Sequence, residues 1–490
     1  MRPPTPPAPL SGAPGLPVDP RLPAVQGVSL DSRRVESGQL YAALPGAITH
    51  GARFAQQAVA NGAVAILTDP AGARMLGVAD VPVVEVADPR GILGELAAHI
   101  YDHPAEKLQL IGITGTNGKT TMTHLMKAGL DAAGRHTGII GTTGIVLGDT
   151  RLPSPRTTPE SPDLHAILAD MAAQGADTVA IEVSSHALRL GRVDGLRFDI
   201  AVFTNLTQDH LDFHADMEDY FSAKSELFTT TRASRAVICI DDSWGQRLLA
   251  RTSLPAVSYA TSRAADWVLD EVQDSVSGWS ARVRGPGTAL TLSSRMPGSF
   301  NQANALGALA TLATLGYDAA VVGAGIAGCP GVPGRMEPVT VGDRTGIVDY
   351  AHTPDAVERA IAATRRFTAG RLVVVLGCGG DRDAEKRPAM GRVAAQGSDV
   401  LVITDDNPRS EDPAVIRAAM LSGARSASTP GEILVEGDRR AAIATAVRLA
   451  GDNGGVLLLG KGHETGQEIA GCVEPFDDRE VLAEFLGAMT

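Results

Sequence analysis

The sequence predicts an α/β protein of three domains, with parallel sheets in its central and C-terminal parts. Three observations carry this expectation. The chain has 490 residues, more than one hydrophobic core serves, and about 150 residues per domain gives roughly three units. From Leu108 onward, short apolar runs such as "LQLIGITG", "DTVAIEVSS", "DIAVFTNLTQDH" and "AVICIDD" alternate with helical patterns. Strands that are apolar throughout belong to parallel sheets covered on both faces. A further set beyond Gly334, "TGIVDYAHTPD", "RLVVVLGCGGDRD", "DVLVITDDNPR" and "GVLLLGKGHE", repeats the pattern. Each run stops at a loop rich in Gly, Asp, His or Arg, and in open α/β sheets ligands bind beyond the carboxyl ends of the strands.

Taken in order, residues 1–23 carry nine prolines and no apolar leader, and read as a disordered extension rather than a secretory signal. Residues 24–107, with "VSLDSRRVESGQLYAAL" and "GAVAILTD", form a small α/β unit. Residues 108–333 make the central domain and residues 334–490 the C-terminal one. Apolar residues make up 44% and charged residues 20% of the chain, as in ordinary globular proteins. No apolar run approaches the ~20 residues that span a bilayer. A formal charge of -13 argues against general affinity for nucleic acid, which rests on neutralising phosphates with lysine and arginine. An anionic ligand must therefore meet local positive charge. Cys239, Cys329, Cys378 and Cys472 are widely spaced, with neither metal-ligand nor disulfide-scaffold spacing, which predicts a reducing, cytoplasmic location.

"IGITGTNGKTT" follows a predicted strand and precedes a helix on which Met122, Leu125, Met126 and Leu130 recur at helical spacing, with Gly134 placed to end it. This is the context of a phosphate-binding loop. Gly115, Thr116, Asn117 and Gly118 let backbone N–H groups approach phosphates, Lys119 balances their charge, and Thr120, followed by Thr121, offers a hydroxyl to magnesium. Where the common pattern has a glycine five residues before the glycine-lysine pair, this chain has Ile113. The guanine-reading Asn-Lys-x-Asp is absent, which argues against a GTPase-like switch.

In "DHLDFHADMEDYFSAKSELF", Met217, Tyr220, Leu227 and Phe228 form one helical stripe, and Lys224 falls in its middle. Two readings follow. The stem packs while the ammonium snorkels to water, or burial lowers the pKa until the neutral amine captures carbon dioxide as a carbamate. Glu182, at the end of a strand, and His210, shortly before Lys224, would then join that carbamate and the Thr120 hydroxyl in holding two magnesium ions, which prefer oxygen ligands.

Together "LDSR", "GTNGKTT", "EVSSHAL", "FTNLTQDHLDFH", "AKSELF", "FNQANALGALA", "GRME", "VDYAHTPDA", "GCGGDRDAEKRP", "TDDNPRSEDP" and "GKGHE" resemble the Mur ligase family over nearly everything after residue 23. The resemblance implies a uridine-nucleotide domain, a central ATPase domain and a C-terminal Rossmann-like domain receiving an amino acid. It implies that Lys224 is the family's carbamylated lysine, and that Asn304, Arg335 and Asp349 complete the ATP site. It further implies that Leu30 and Ser32 contact the uridine end, and that Thr157, Thr158, Ser184 and Arg192 hold the sugar and peptide of the nucleotide substrate. Relatives often carry glutamine where this chain has Leu190 and asparagine where it has Arg156.

The resemblance makes Asp406, Asn407, Pro408 and Arg409 the amino-acid selector, with Arg387, Gly460 and Glu464 as further contacts. Arginine in the fourth place implies meso-diaminopimelate, because a guanidinium grips the distal carboxylate that lysine lacks. The implied reaction is ATP-dependent ligation of meso-diaminopimelate to UDP-N-acetylmuramoyl-L-alanyl-D-glutamate through an acyl phosphate, a step of peptidoglycan synthesis. An L-lysine-adding member and, more distantly, folylpolyglutamate synthetase are the alternatives.

Overall fold

The computed structural model describes residues 6–46, 48–275 and 278–488. Four parallel strands, Gly27–Ser29, Gln39–Ala43, Ala63–Thr68 and Val83–Glu85, pair in chain order at the N-terminal end. The helix Pro89–Ile100 closes one face by burying Leu93, Leu96, Ala97 and Ile100 against Val28, Leu40 and Leu67.

The disordered extension expected over residues 1–23 is corrected here for residues 6–23; residues 1–5 lie outside the described residues. The strand Ala8–Pro9 pairs antiparallel with Ala24–Val25, and Leu10 is fully buried in the same core as Leu93 and Leu96. Proline density raised the expectation of disorder. Yet proline also lowers the entropy of the unfolded chain, and Ala8, Leu10 and Ala13 supply enough apolar surface to dock the segment. Pro9 sits in a two-stranded pairing where its missing N–H breaks no central ladder.

An eleven-stranded sheet fills the centre. Its parallel part runs Thr137–Gly141, Thr178–Glu182, Gln109–Thr114, Ile200–Phe203, Ala236–Cys239, Ala256–Ala260 and Trp267–Ser275, with antiparallel strands added at both ends. Alternate residues face opposite layers, as the two-residue period of a strand requires: Leu110, Val179 and Ile181 enter one core, Ile111, Ile113 and Ala180 the other. On the second face lies the helix Lys119–Ala132, with Met122, Leu125, Met126 and Leu130 fully buried as their spacing predicted. It ends where expected. Gly134 has φ +75, and Arg135 N–H donates to the Leu130 carbonyl at 2.9 Å while Gly134 N–H donates to Asp131 at 3.0 Å, the paired bonds of a glycine-terminated helix.

The C-terminal sheet has six strands in the order Glu337–Val341, Arg344–Asp349, Gly455–Leu459, Leu372–Leu376, Val400–Ile403 and Glu432–Val435, all parallel except the first. Leu372, Val374 and Leu376 pack under the helices Pro354–Arg365, Lys386–Gly397 and Pro413–Arg425, while Val373 and Val375 pack under Arg439–Ala450 and Asp478–Ala488. Helices on both faces make this a doubly wound sheet. Among the described residues no helix is long and apolar enough to cross a membrane.

Candidate functional site

Thr114, Glu182, Phe203 and Asp349 are each the last residue of a strand, and a cavity of about 390 Å³ opens beyond the first three, where Asp349 from the C-terminal sheet also reaches it. The loop after Thr114 enters it in a strained shape. Gly115 has φ +146 and Gly118 φ +93, and a Cβ on Gly115 would stand 1.9 Å from Thr204 Oγ1. The next strand's exit holds the loop: Thr116 N–H donates to the Asn205 carbonyl at 2.9 Å, Asn117 N–H to Asn205 Oδ1 at 3.0 Å, and the Thr204 hydroxyl to the Asn117 carbonyl at 2.6 Å. Lys119 folds back, its Nζ donating to the carbonyls of Gly115 at 2.7 Å and Thr116 at 2.9 Å. Burial lowers its pKa, while Glu182 and Asp209 counteract. Asn117 Nδ2 is buried without a hydrogen-bond partner, an unpaired donor in the wall of the cavity.

Lys224 is 1% exposed, so the structure supports the inward-pointing reading. Its helix, Met217–Ser225, starts under an Asp216 cap and continues as a 3₁₀ turn, Glu226–Phe228, that buries Leu227 and Phe228. Nζ donates to the Gly115 carbonyl at 3.0 Å and lies 4.5 Å from the Tyr220 ring centre. Burial first, then the charge of Lys119, holds its pKa well below the ordinary lysine value. Thr120, Glu182 and His210 line the cavity; Lys224 stands behind the phosphate loop. Glu182 is fully buried, and its carboxylate accepts from Thr142 N–H at 2.8 Å and the Thr142 hydroxyl at 3.0 Å. His210 adopts φ +56, and burial pushes its pKa down to about 3.

The C-terminal domain closes the other side. Arg335 Nη2 donates to Thr120 Oγ1 at 3.1 Å, its guanidinium stacks 4.5 Å from the Tyr350 ring centre, and its Nε is buried without a partner. Asp349 accepts from Met336 N–H at 2.7 Å and Ala351 N–H at 2.8 Å; burial raises its pKa, and Arg335 opposes the rise. Asn304 comes from the helix Ser299–Thr314 and stands so close to Gly118 that a Cβ there would lie 2.4 Å from its Oδ1. Sequence reasoning passed over Asp209, although it precedes His210 in the same motif. Lys386 Nζ at 3.5 Å and His352 Nε2 at 3.7 Å reach it from the C-terminal domain. Burial pushes its pKa up, but His352, His210 and Lys386 overcome that and hold it well below the usual carboxylate range.

Of the residues expected to hold the nucleotide substrate, Thr157 and Ser184 line the cavity. Thr158 does not: it is fully buried, its hydroxyl donating to the Glu182 carbonyl at 2.7 Å and accepting from Ser184 N–H at 3.1 Å. Arg192 Nε donates to Glu160 at 2.9 Å. Arg90 reaches both Glu160 and the Leu190 carbonyl at 3.2 Å, and Arg156 lies 3.9 Å from Glu160, so these side chains form an ion-pair cluster beside the cavity. Leu30 and Ser32 lie in the N-terminal domain, with Leu30 packed on its core and the Ser32 hydroxyl donating to Gln57 Oε1 at 2.8 Å.

The expected amino-acid residues gather at the ends of Leu372–Leu376, Val400–Ile403 and Gly455–Leu459. Arg387 donates twice to Glu411, at 2.9 and 2.7 Å, and to the Gly379 carbonyl at 3.3 Å. Arg409 Nη1 donates to the adjacent Gly380 carbonyl at 2.6 Å, and its Nε lies 3.4 Å from Glu468. Two guanidinium groups thus share one glycine turn. Burial raises the pKa of Asp406, and Gly460, at φ +107, passes so close that a Cβ would be 2.3 Å from Asp406 Oδ2. Asn407 Nδ2 donates to Glu464 Oε2 at 2.7 Å. Pro408 offers its carbonyl to Glu411 N–H at 3.1 Å.

Fold and cavity together define a multidomain α/β protein whose central sheet carries a glycine-containing strand-to-helix loop at the cavity. Three family descriptions match successive parts: "Mur ligase family, catalytic domain" over residues 24–101, "Mur ligase middle domain" over 113–312, and "Mur ligase, glutamate ligase domain" over 334–462. The chain is 51% identical over 466 residues to the UDP-N-acetylmuramoyl-L-alanyl-D-glutamate–2,6-diaminopimelate ligase of Streptomyces coelicolor, covering 94% of this chain and 92% of that one. It is 44% identical over 470 residues to the ligase of the same name from Corynebacterium glutamicum, covering 93% and 91%. A solved structure of a ligase with that name superposes with a TM-score of 0.68 at 32% identity, covering 99% of each chain. MurF from Acinetobacter baumannii, at 18% identity and a TM-score of 0.67 over 94% of this chain and 93% of that one, shares the fold. The chain belongs to the Mur ligase family.

Proposed function

We propose that the chain joins meso-diaminopimelate to the side-chain carboxylate of the D-glutamyl residue in UDP-N-acetylmuramoyl-L-alanyl-D-glutamate, using ATP, in the cytoplasmic stage of peptidoglycan synthesis. The observation that carries this reading is convergence. The phosphate loop, the Thr142–Thr157–Ser184 wall and the C-terminal residues Arg335 and Asp349 line one cavity, so a nucleotide, an acid and a group delivered by the third domain meet there. Relatives named for this reaction are up to 51% identical to the chain.

The site fits magnesium by its chemistry. A buried carboxylate at Glu182 makes no ion pair among the described residues, and the Thr120 hydroxyl lines the same cavity; hard oxygen donors of this kind suit the ion. Bound there with His210, magnesium would offset repulsion between the triphosphate and an entering carboxylate. Lys224 suits carbamylation because its lowered pKa leaves a neutral amine, which adds to carbon dioxide and loses a proton to give an anion. Thr142 orients Glu182, and the Tyr220 ring and Gly115 carbonyl fix the Lys224 amine.

The remaining roles fall to the chain's own groups. Lys119 and Arg335 bring positive charge to the phosphates, and the backbone of Gly115 to Thr121 cradles them. The substrate carboxylate attacks the γ-phosphorus, the bond to the β-phosphate oxygen breaks, and ADP leaves with an acyl phosphate formed. The amine then attacks the acyl carbon, phosphate departs and the amine sheds a proton. Arg409, with Arg387 beside it, holds the distal carboxylate, while Asp406 and Glu464 face ammonium. Withholding each substrate in turn tests the assignment: phosphate release requires the nucleotide acid, and equally fast ATP turnover without it overturns ligation.

A further inference from the structure

Lys461 is a buried cation beneath the amino-acid loops that no role above uses. It is fully buried, and its ammonium spends all its donors within the protein: on the Gly466 carbonyl at 2.6 Å, Asn407 Oδ1 at 3.1 Å and Glu464 Oε2 at 3.3 Å. The same Asn407 oxygen accepts from Glu468 N–H at 3.0 Å. With Oδ1 fixed by two donors, the Asn407 amide has one orientation, and its Nδ2 must face Glu464 Oε2, 2.7 Å away. Both internal bonds to Glu464 therefore fall on Oε2, which leaves Oε1 without a hydrogen bond among the described residues on a side chain that is 30% exposed.

We propose that Lys461 is a specificity-determining positioning residue: acting through Asn407, it presents Glu464 Oε1 to the distal ammonium of the amino acid whose distal carboxylate Arg409 holds. This rests on the diaminopimelate reading above. A diamino diacid carries at its far end one anion and one cation, and the structure offers a guanidinium and an oriented carboxylate on neighbouring loops.

The test compares meso-diaminopimelate with 2-aminopimelate, which keeps the distal carboxylate and lacks the distal ammonium. Lys461→Met lowers kcat/KM for diaminopimelate by about 10- to 100-fold, the worth of a hydrogen bond to a charged group, and changes kcat/KM for 2-aminopimelate by less than about threefold. KM for ATP stays unchanged. Equal losses with both amines mean a purely structural lysine and overturn the proposal, as does no loss with either. Lys461→Gln, which removes the charge and shortens the reach to Asn407 and Glu464 while keeping a polar terminus, gives the same comparison if Lys461→Met does not fold. A wild-type enzyme that does not use diaminopimelate fails the underlying reading instead.

Discussion

Replacing Gly115 by alanine should cripple nucleotide binding without unfolding the protein. At φ +146 the backbone lies where L side chains rarely go, which costs about 1–3 kcal/mol. The added Cβ would lie 1.9 Å from Thr204 Oγ1 and 3.0 Å from the Asn205 carbonyl. Thr204 is short and 3% exposed, so it cannot swing aside while keeping the 2.6 Å bond that its hydroxyl donates to Asn117; losing that bond costs about 1 kcal/mol more. A binding-competent loop disfavoured by about 2–4 kcal/mol weakens ATP or ADP by about 30- to 1,000-fold, since only the competent fraction binds. Gly134→Ala is the control. It has φ +75 and no atom within 4 Å of the added carbon, so it costs about 1 kcal/mol of stability and leaves nucleotide affinity unchanged. Calorimetric titration with ADP reads both. A folded Gly115→Ala protein that binds within threefold of wild type would refute the loop geometry as the source of affinity.

Further outcomes follow from the same structure. Arg409→Ala, assayed with meso-diaminopimelate and L-lysine in competition, loses its preference for the diacid by a large factor, up to ~10⁴ for an unpaired group in a selective polar site; an unchanged product ratio would remove Arg409 as the selector. Lys224→Ala abolishes ligation while retaining nucleotide binding, and wild-type protein in labelled bicarbonate shows a carbamate carbon resonance that the variant lacks. Acid destabilises the fold through buried histidines. Burial lowers His165 and His124 to about 4 and His210 to about 3, so these groups support the fold above the unfolded value of ~6.5 and that support is lost as pH falls towards 4. For His165, fully buried, the loss is about 2–3 kcal/mol across that window. Urea midpoints that do not fall between pH 7 and pH 5 would contradict this.

What the chain shows locally was legible, and what depends on distant partners was not. The glycine-containing turn before Lys119, the helix carrying Met122 to Leu130 and the inward Lys224 each lie in one continuous stretch with a readable pattern, and the structure contains these features. Proline content misled for residues 6–23, because composition does not report that Leu10 meets Leu93 and Leu96. Thr158 and Arg192 stand in motifs expected to meet substrate, and in the structure the Thr158 hydroxyl bonds Glu182 and Ser184 while Arg192 Nε and Nη1 donate to Glu160 and the Thr158 carbonyl. Nothing local marks that use. Asp209 was overlooked for a similar reason. Its importance comes from Lys386 and His352, which are distant in sequence and arrive only when the C-terminal sheet packs against the central one. The Arg335 contact to Thr120 is likewise a product of that packing.

The central claim is that the phosphate loop serves to activate a carboxylate. Nucleotide acid labelled with oxygen-18 in its D-glutamyl side-chain carboxylate, turned over with ATP and meso-diaminopimelate, decides it by mass spectrometry of the released inorganic phosphate. One labelled oxygen per phosphate, matched to amide formed, is the predicted result; phosphate free of label alongside normal product would contradict the acyl phosphate and the reading built on it.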